Sequence, residues 1–134
     1  MAKLVKSIKS GGDTIGLGET TSSDQLEGRY AVEVAILTDG ATITPDFGAN
    51  QNFTVTLAGN RTLANPSNKV VGQTGSIFVV QDATGSRTLS FGTDWEFPGG
   101  TAPTLSTTAA AVDRIDYIVR SATSVQAVAT LAYA

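Results

Sequence analysis

The sequence contains neither cysteine nor histidine among its 134 residues. Without cysteine there is no disulfide bond and no thiolate metal ligand, and without histidine the commonest general base and metal ligand of enzymes is missing. Neither a serine–histidine–aspartate triad nor a cysteine–histidine pair can be assembled from this chain. We therefore expect a protein that is not an enzyme and that uses no metal or other cofactor.

Charged residues are also scarce, at 16% of the chain, and they leave a net charge of −3. Binding to nucleic acid requires a basic field, so we expect no nucleic-acid partner. No segment approaches the roughly 18 consecutive apolar residues of a membrane-spanning helix, so we expect no membrane partner. The basic start of the chain lacks the apolar segment of a secretory signal, which predicts synthesis in the cytoplasm.

The first 28 residues are polar and rich in glycine, with only scattered apolar side chains. Such a stretch cannot cover a hydrophobic core, and we interpret it as an extended N-terminal arm. Two roles stay open for it, a solubilising tail or an arm that orders when it docks on an acidic partner surface. The side chains that would make such a contact are Lys3, Leu4, Lys6, Ile8 and Lys9.

From Arg29 onward the hydrophobic pattern has a period of two, as in β-strands. The segment 30–37 predicts a strand with one fully apolar face and one mixed face. The apolar face comprises Tyr30, Val32, Val34 and Ile36, and the mixed face comprises Ala31, Glu33, Ala35 and Leu37.

The segment 53–57 has the cleanest alternation, with Phe53, Val55 and Leu57 predicted to face inward and two threonines outward. Glycine, asparagine and proline turns separate the later segments, and the loop 83–86 predicts a hairpin between the two strands beside it. About eight strands at this spacing predict an all-β sandwich over residues 29–134. The later strands are predicted at 76–81, 87–91, 114–120 and 125–132.

Several turn and strand segments together resemble a β module that recurs in virion proteins of tailed bacteriophages, including tail-fibre and tail-spike chains and small head-associated proteins. The resemblance covers about residues 43–132 and implies a structural protein with a jelly-roll-like β-sandwich, often assembled as a homotrimer. The segments that carry it are 57–66 (LAGNRTLANP), 72–75 (GQTG), 81–92 (QDATGSRTLSFG) and 102–106 (APTLS).

The position of such a module in the virion depends on what accompanies it. No shaft repeat or heptad pattern is present beside it. A stand-alone sandwich with an N-terminal arm favours a capsid decoration or cement protein, which binds the major capsid protein on the outer surface of the head through many repeated contacts. The alternative is a receptor-binding module at a tail fibre or tail tip, and a free carbohydrate-binding domain is a third interpretation.

The segment around Trp95 combines an aromatic side chain with two carboxylates. Asp94 and Glu96 flank Trp95, so in an extended strand both carboxylates face the same way, as in a glycoside hydrolase. The simpler interpretation is a pair of ordinary surface charges beside a buried tryptophan. Under the tail alternative, Trp95, Asp94 and Glu96 would contact a glycan without cleaving it, with Phe91 and Phe97 as aromatic neighbours.

Arginine is the preferred cation for bidentate ion pairs at protein interfaces. We therefore predict ion pairs at subunit contacts for Arg61, Arg87, Arg114 and Arg120. Asp113 and Asp116 offer oxygen ligands that suit calcium, but no calcium-binding loop surrounds them, and pairing with Arg114 is the simpler expectation.

Overall fold

The computed structural model describes residues 31–134, and within them Val32–Ala134 form one compact unit. The predicted arm, residues 1–28, lies outside the described residues, so its boundary with the sandwich stays a prediction. Nine strands run through the described part of the chain, together with one 3₁₀ turn at Pro98–Gly100. The strands are β1 (Val34–Ile36), β2 (Thr42–Ile43), β3 (Asn52–Leu57), β4 (Arg61–Leu63), β5 (Thr74–Gln81), β6 (Leu89–Phe91), β7 (Trp95–Glu96), β8 (Val112–Ser121) and β9 (Ser124–Tyr133).

These strands form two sheets, which confirms the prediction of an all-β sandwich. The larger sheet has six strands in the order β1-β3-β5-β8-β9-β7, and the smaller has three in the order β2-β4-β6. No helix among residues 31–134 has the length and apolar character required to cross a membrane.

The first six strands alternate between the two sheets as the chain advances. In the larger sheet β1, β3 and β5 are parallel neighbours, and in the smaller sheet β2, β4 and β6 are parallel neighbours as well. Each turn of the chain thus adds one strand to each sheet and stacks on the turn before it. This strand order is that of a short β-solenoid, in which successive turns of the chain stack on one another. A jelly roll is instead built from antiparallel Greek keys.

The solenoid order explains why the prediction of a hairpin around residues 83–86 is wrong. Strand β5 pairs with β3 and β8, while β6 pairs with β4 in the other sheet. The buried side chain of Gln81 holds the chain in place between β5 and β6. Its amide oxygen accepts a hydrogen bond from the backbone nitrogen of Arg87 at 2.8 Å, and its amide nitrogen donates one to the backbone oxygen of Arg87 at 2.9 Å. A side chain thus takes the backbone bonds that a hairpin partner would have made.

The last two long strands form a hairpin. Strands β8 and β9 are antiparallel and are joined by a tight turn after Ser121, and β8 also pairs antiparallel with β5. The buried carboxylate of Asp113 holds the open end of this hairpin in place. It accepts hydrogen bonds from the backbone nitrogens of Ser106 (2.7 Å) and Ala132 (2.8 Å). Asp113 therefore has a structural role and does not pair with Arg114, whose carboxylate partner is Asp116 at 3.0 Å.

The core lies between the two sheets. The predicted inward positions Phe53, Val55 and Leu57 are all buried, which confirms the alternation of that strand. Phe47, from the loop between β2 and β3, stacks between Phe53 and Tyr117, with ring centroids at 5.9 Å and 4.4 Å. The other buried apolar side chains include Ile43, Leu63, Ile77, Val79, Leu89, Ile115, Val119 and Val125.

Strand β1 presents its faces in an unexpected way. The side chains of the apolar face, Val34 and Ile36, are exposed, and Ile36 is exposed to 84%. Ala35 and Leu37, on the mixed face, pack against the core. The parallel register pairs Ala35 with the buried Phe53, and in a strand the neighbouring side chains must then point to the opposite face.

Candidate functional site

The predicted contact residue Trp95 belongs to the core. It is only 6% exposed, and its indole nitrogen donates a hydrogen bond to the Ala64 oxygen at 3.0 Å. Its ring meets those of Phe47 and Tyr117 edge-on, with centroids 6.3 Å apart in each case. Trp95 is therefore a supporting residue behind the surface, and its ring face is not open for stacking on a ligand.

The two carboxylates beside it have different neighbours. Asp94 forms an ion pair with Lys69 at 2.9 Å, and both side chains are largely shielded from water. Glu96 is exposed and accepts a hydrogen bond from the Gln126 amide at 3.4 Å. Hydrogen bonding from Ser124, followed by that from Gln126, holds the pKa of Glu96 below its ordinary value. Of the three predicted glycan contacts, Glu96 alone offers a charged, accessible group.

The aromatic neighbours of Trp95 line a groove of about 660 Å³. Phe91 and Phe97 are half-buried and meet edge-to-face with their centroids 4.7 Å apart, and Phe91 also meets Trp95 edge-on at 6.2 Å. We call this the aromatic groove, and it is lined by Leu89, Ser90, Phe91, Gly92, Trp95, Glu96, Phe97, Gly100 and Ala102.

Three elements position the aromatic groove. Strand β6 supplies Phe91 from the edge of the three-stranded sheet, β7 supplies Glu96, and the 3₁₀ turn Pro98–Gly100 forms a further wall. Gly99 and Gly100 both have a positive φ, of 71° and 72°, which glycine adopts more readily than any other residue. The groove thus combines aromatic surface, a hydroxyl and an ionised carboxylate, within the size range of small-ligand sites.

A second groove, of about 470 Å³, lies near β1 and β2 and contains Asp39 and Asp46. Both carboxylates are engaged within the fold. Asp39 accepts two hydrogen bonds from Arg61, at 2.9 Å and 2.6 Å, and Asp46 accepts one from Asn68 at 2.8 Å. No group of three or more acidic side chains in residues 31–134 is arranged to hold a metal ion.

The four arginines predicted at subunit contacts each have a carboxylate partner in the same chain. The pairs are Arg61 with Asp39, Arg87 with Asp82, Arg114 with Asp116, and Arg120 with Glu96. A role between subunits stays a prediction for each of them.

One of these pairs closes the loop after β5. Arg87 reaches Asp82 at 2.7 Å, and this hydrogen bonding is the main reason that the pKa of Asp82 falls to about 2. The Arg61 guanidinium likewise lowers the pKa of Asp39. The predicted arm contacts, namely Lys3, Leu4, Lys6, Ile8 and Lys9, lie outside the described residues.

A family model described as "Putative phage tail fibre C-terminal domain" matches residues 43–125. The match begins at the last residue of β2 and ends at the second residue of β9, so it includes β3 to β8 and the whole aromatic groove, but not β1. No curated protein and no solved structure matches the chain.

Proposed function

Because this chain belongs to the family of phage tail fibre C-terminal domains and is therefore a structural protein of a phage virion, we propose that it is the part of a tail fibre that binds the host cell surface. The family match supports a position in the tail more than one on the capsid. The observation that carries the binding function is the aromatic groove, which lies within the matched segment.

Glycans are the ligand class that suits this groove. The apolar C–H face of a sugar ring packs on aromatic rings, and Phe91 and Phe97 offer two rings at an angle to one another. Sugar hydroxyls need acceptors and donors at the rim, which the Glu96 carboxylate and the Ser90 hydroxyl supply. A glutamate side chain is ionised at physiological pH, and hydrogen bonding lowers the pKa of Glu96 further, so its carboxylate is an acceptor there.

The proposed activity is binding without cleavage. Hydrolysis of a glycosidic bond generally uses two carboxyl groups on either side of the bond. Among the described residues that line the aromatic groove, Glu96 is the one acidic side chain, and Asp94 is engaged with Lys69. The arrangement therefore supports a receptor-binding module and not a glycosidase.

The capsid decoration hypothesis depends on the arm of residues 1–28, which lies outside the described residues. The family match favours the tail instead, so the proposed partner is a host surface glycan and not the major capsid protein. We expect the domain to work as a homotrimer, because several copies of a weak site gain overall affinity through avidity.

The test is binding of the purified chain to cells and surface polysaccharides of the phage's host. Phe97→Ala and Glu96→Gln should each weaken binding by about tenfold or more, which corresponds to roughly 1.4 kcal/mol. Val70→Ala and Glu33→Gln change exposed residues outside the groove and serve as matched controls that should bind like the unaltered protein. Unchanged binding by both groove variants would show that the aromatic groove is not the receptor site.

A further inference from the structure

Two smaller hollows continue the aromatic groove onto the six-stranded sheet. The first, of about 260 Å³, shares Glu96 and Phe97 with the aromatic groove. The second, of about 320 Å³, shares Gln126 and Ala127 with the first. Because each hollow shares lining residues with the next, the three form one continuous track, which we call the extended groove. Its far end is lined by Asp116, Tyr117, Ile118 and Val128.

The strand register explains why the hollows lie in one line. Strand β7 is the edge of the sheet, and β9 and then β8 follow it inward. Glu96 pairs with Gln126, and Gln126 pairs with Ile118, so these exposed side chains stand side by side on the outward surface. Three strands at a spacing of about 4.8 Å span about 10 Å, which is wider than a single sugar ring. A ligand that begins in the aromatic groove can therefore continue across the sheet.

Gln126 supplies hydrogen-bonding groups in the middle of the extended groove. Within the described part of the chain its amide makes one hydrogen bond, which it donates to the Glu96 carboxylate over a long 3.4 Å. A glutamine amide has two N–H donors and an oxygen with two acceptor sites. One donor and the oxygen are thus left for a ligand, and a sugar hydroxyl, which both donates and accepts, can use either.

The far end of the extended groove offers apolar contact again. Ile118 and Val128 are exposed to 44% and 49%, and they come from neighbouring strands. Single exposed aliphatic side chains are ordinary on a protein surface. These two, however, lie in line with the aromatic rings of Phe91 and Phe97 and with the Gln126 amide between them. The order of apolar, polar and apolar surface matches a chain of sugar rings, whose C–H faces and hydroxyl groups alternate in the same way.

The charges along the extended groove are balanced. Glu96 lies 3.8 Å from the Arg120 guanidinium, and Asp116 lies 3.0 Å from that of Arg114. Since each of these carboxylates has a cation beside it, this surface has no strong field of either sign. An uncharged ligand held by hydrogen bonds and apolar contacts suits it better than a highly charged one.

We propose that the extended groove binds an internal stretch of an uncharged polysaccharide chain. One sugar unit lies on the rings of Phe91 and Phe97, and further units lie over Gln126 and over the apolar pair of Ile118 and Val128. The inference rests on the proposed function, because it takes the aromatic groove as the first position of the chain. Recognition of a single terminal sugar would instead use the aromatic groove alone.

The test measures how the affinity of the complete chain depends on ligand length. The ligands are fragments of the host's surface polysaccharide, prepared by partial hydrolysis and separated by size, and binding is measured by calorimetry. Affinity should rise about tenfold or more from the shortest fragment to longer ones, which is roughly 1.4 kcal/mol, and then level off. It should change little with salt concentration. Equal affinity at every length would overturn the proposal, and a steep loss with salt would overturn the assignment to an uncharged chain.

Two variants test the far part of the extended groove by itself. Gln126→Ala removes the amide, and Val128→Lys places a longer side chain over the second hollow. Each should weaken binding of long fragments about tenfold, with the shortest fragment and the melting temperature unchanged. Avidity between subunits would not produce this pattern, because it does not depend on these side chains. Val70→Lys makes the same change at an exposed valine outside the groove and should bind every fragment normally.

The outcomes distinguish this inference from the proposed function. If Phe97→Ala abolished binding while fragment length, Gln126→Ala and Val128→Lys had no effect, the glycan site would stand and its extension would be overturned. If the unaltered chain bound no fragment of any length, both would be overturned.

Discussion

The hydroxyl of Tyr117 donates a hydrogen bond of 2.6 Å to the backbone oxygen of Gln51, although 66 positions separate the two residues. The Gln73 amide donates to the same hydroxyl at 3.3 Å and to the Asn50 oxygen at 3.2 Å. This network ties the loop before β3 to strand β8, and its hydrogen bonds are partly buried. Because a buried polar group must keep its partners, the network should respond strongly to substitution and to pH.

Tyr117→Phe tests the pH response. Burial raises the pKa of Tyr117 from 10.0 to about 12, so the folded state holds this proton more tightly than the unfolded state does. The stabilisation is therefore fully present below pH 10 and is lost as the pH rises from about 10 to 12. We expect Tyr117→Phe to be about 1 kcal/mol less stable at neutral pH and to lose less stability above pH 10, as measured by urea unfolding. An alkaline decline as steep as that of the unaltered protein would contradict this account.

Gly75→Ala tests the close approach of the backbone at the same place. A methyl group at this position would overlap the Gln51 oxygen and would press on the Tyr117 hydroxyl. We expect a loss of about 1 to 3 kcal/mol in unfolding free energy, measured by chemical denaturation. Gly40→Ala is the control, because its nearest neighbour would be the Thr42 oxygen at 3.7 Å, an ordinary contact. Equal stability of the two variants would show that the crowding around Gly75 is relieved without cost.

Asp82→Asn tests the ion pair that closes the loop after β5. The hydrogen bond from Arg87, and then that from the Gly85 backbone, lowers the pKa of Asp82 from 3.8 to about 2. The stabilisation is present above pH 3.8 and is lost as the pH falls towards 2, since the unfolded state takes up the proton first. Thermal unfolding of Asp82→Asn should thus depend less on pH between 4 and 2 than that of the unaltered protein. An identical acid profile would show that this carboxylate does not contribute.

Trp95→Ala separates folding from binding. Because Trp95 is buried among Phe47, Phe91 and Tyr117, its removal should cost about 3 to 5 kcal/mol of stability and lower the melting temperature markedly. Phe97→Ala, at the surface of the aromatic groove, should lower the stability less than Trp95→Ala does and should weaken glycan binding more. A Trp95→Ala variant with an unchanged melting temperature and no glycan binding would instead assign Trp95 to the ligand contact.

The sequence predicts where the strands lie in the chain better than it predicts which strands pair with each other. The alternation of Phe53, Val55 and Leu57 identifies both the strand and its inward face, because burial of one face imposes a period of two. The same period arises in parallel and antiparallel pairs, so it does not show that the first six strands form a β-solenoid. The corner at Gln81 depends on a side chain that replaces backbone partners, and this cannot be seen from turn residues such as Gly85 alone.

The faces of β1 and the position of Trp95 show a second limit. Apolar character alone places Val34 and Ile36 inside, yet register with Phe53 places them outside. The residue types alone indicate the cluster around residue 95, since tryptophan, phenylalanine and acidic residues are concentrated there. Which of those rings reaches the surface depends on packing against Phe47, a loop residue far away in sequence.

The most direct test of the tail assignment is the copy number of this chain in purified phage particles, measured by quantitative mass spectrometry against the major capsid protein. A tail fibre domain should be present in a small number of copies, far below that of the capsid protein. A ratio close to one copy per capsid subunit would contradict the assignment and would place the protein on the shell of the head.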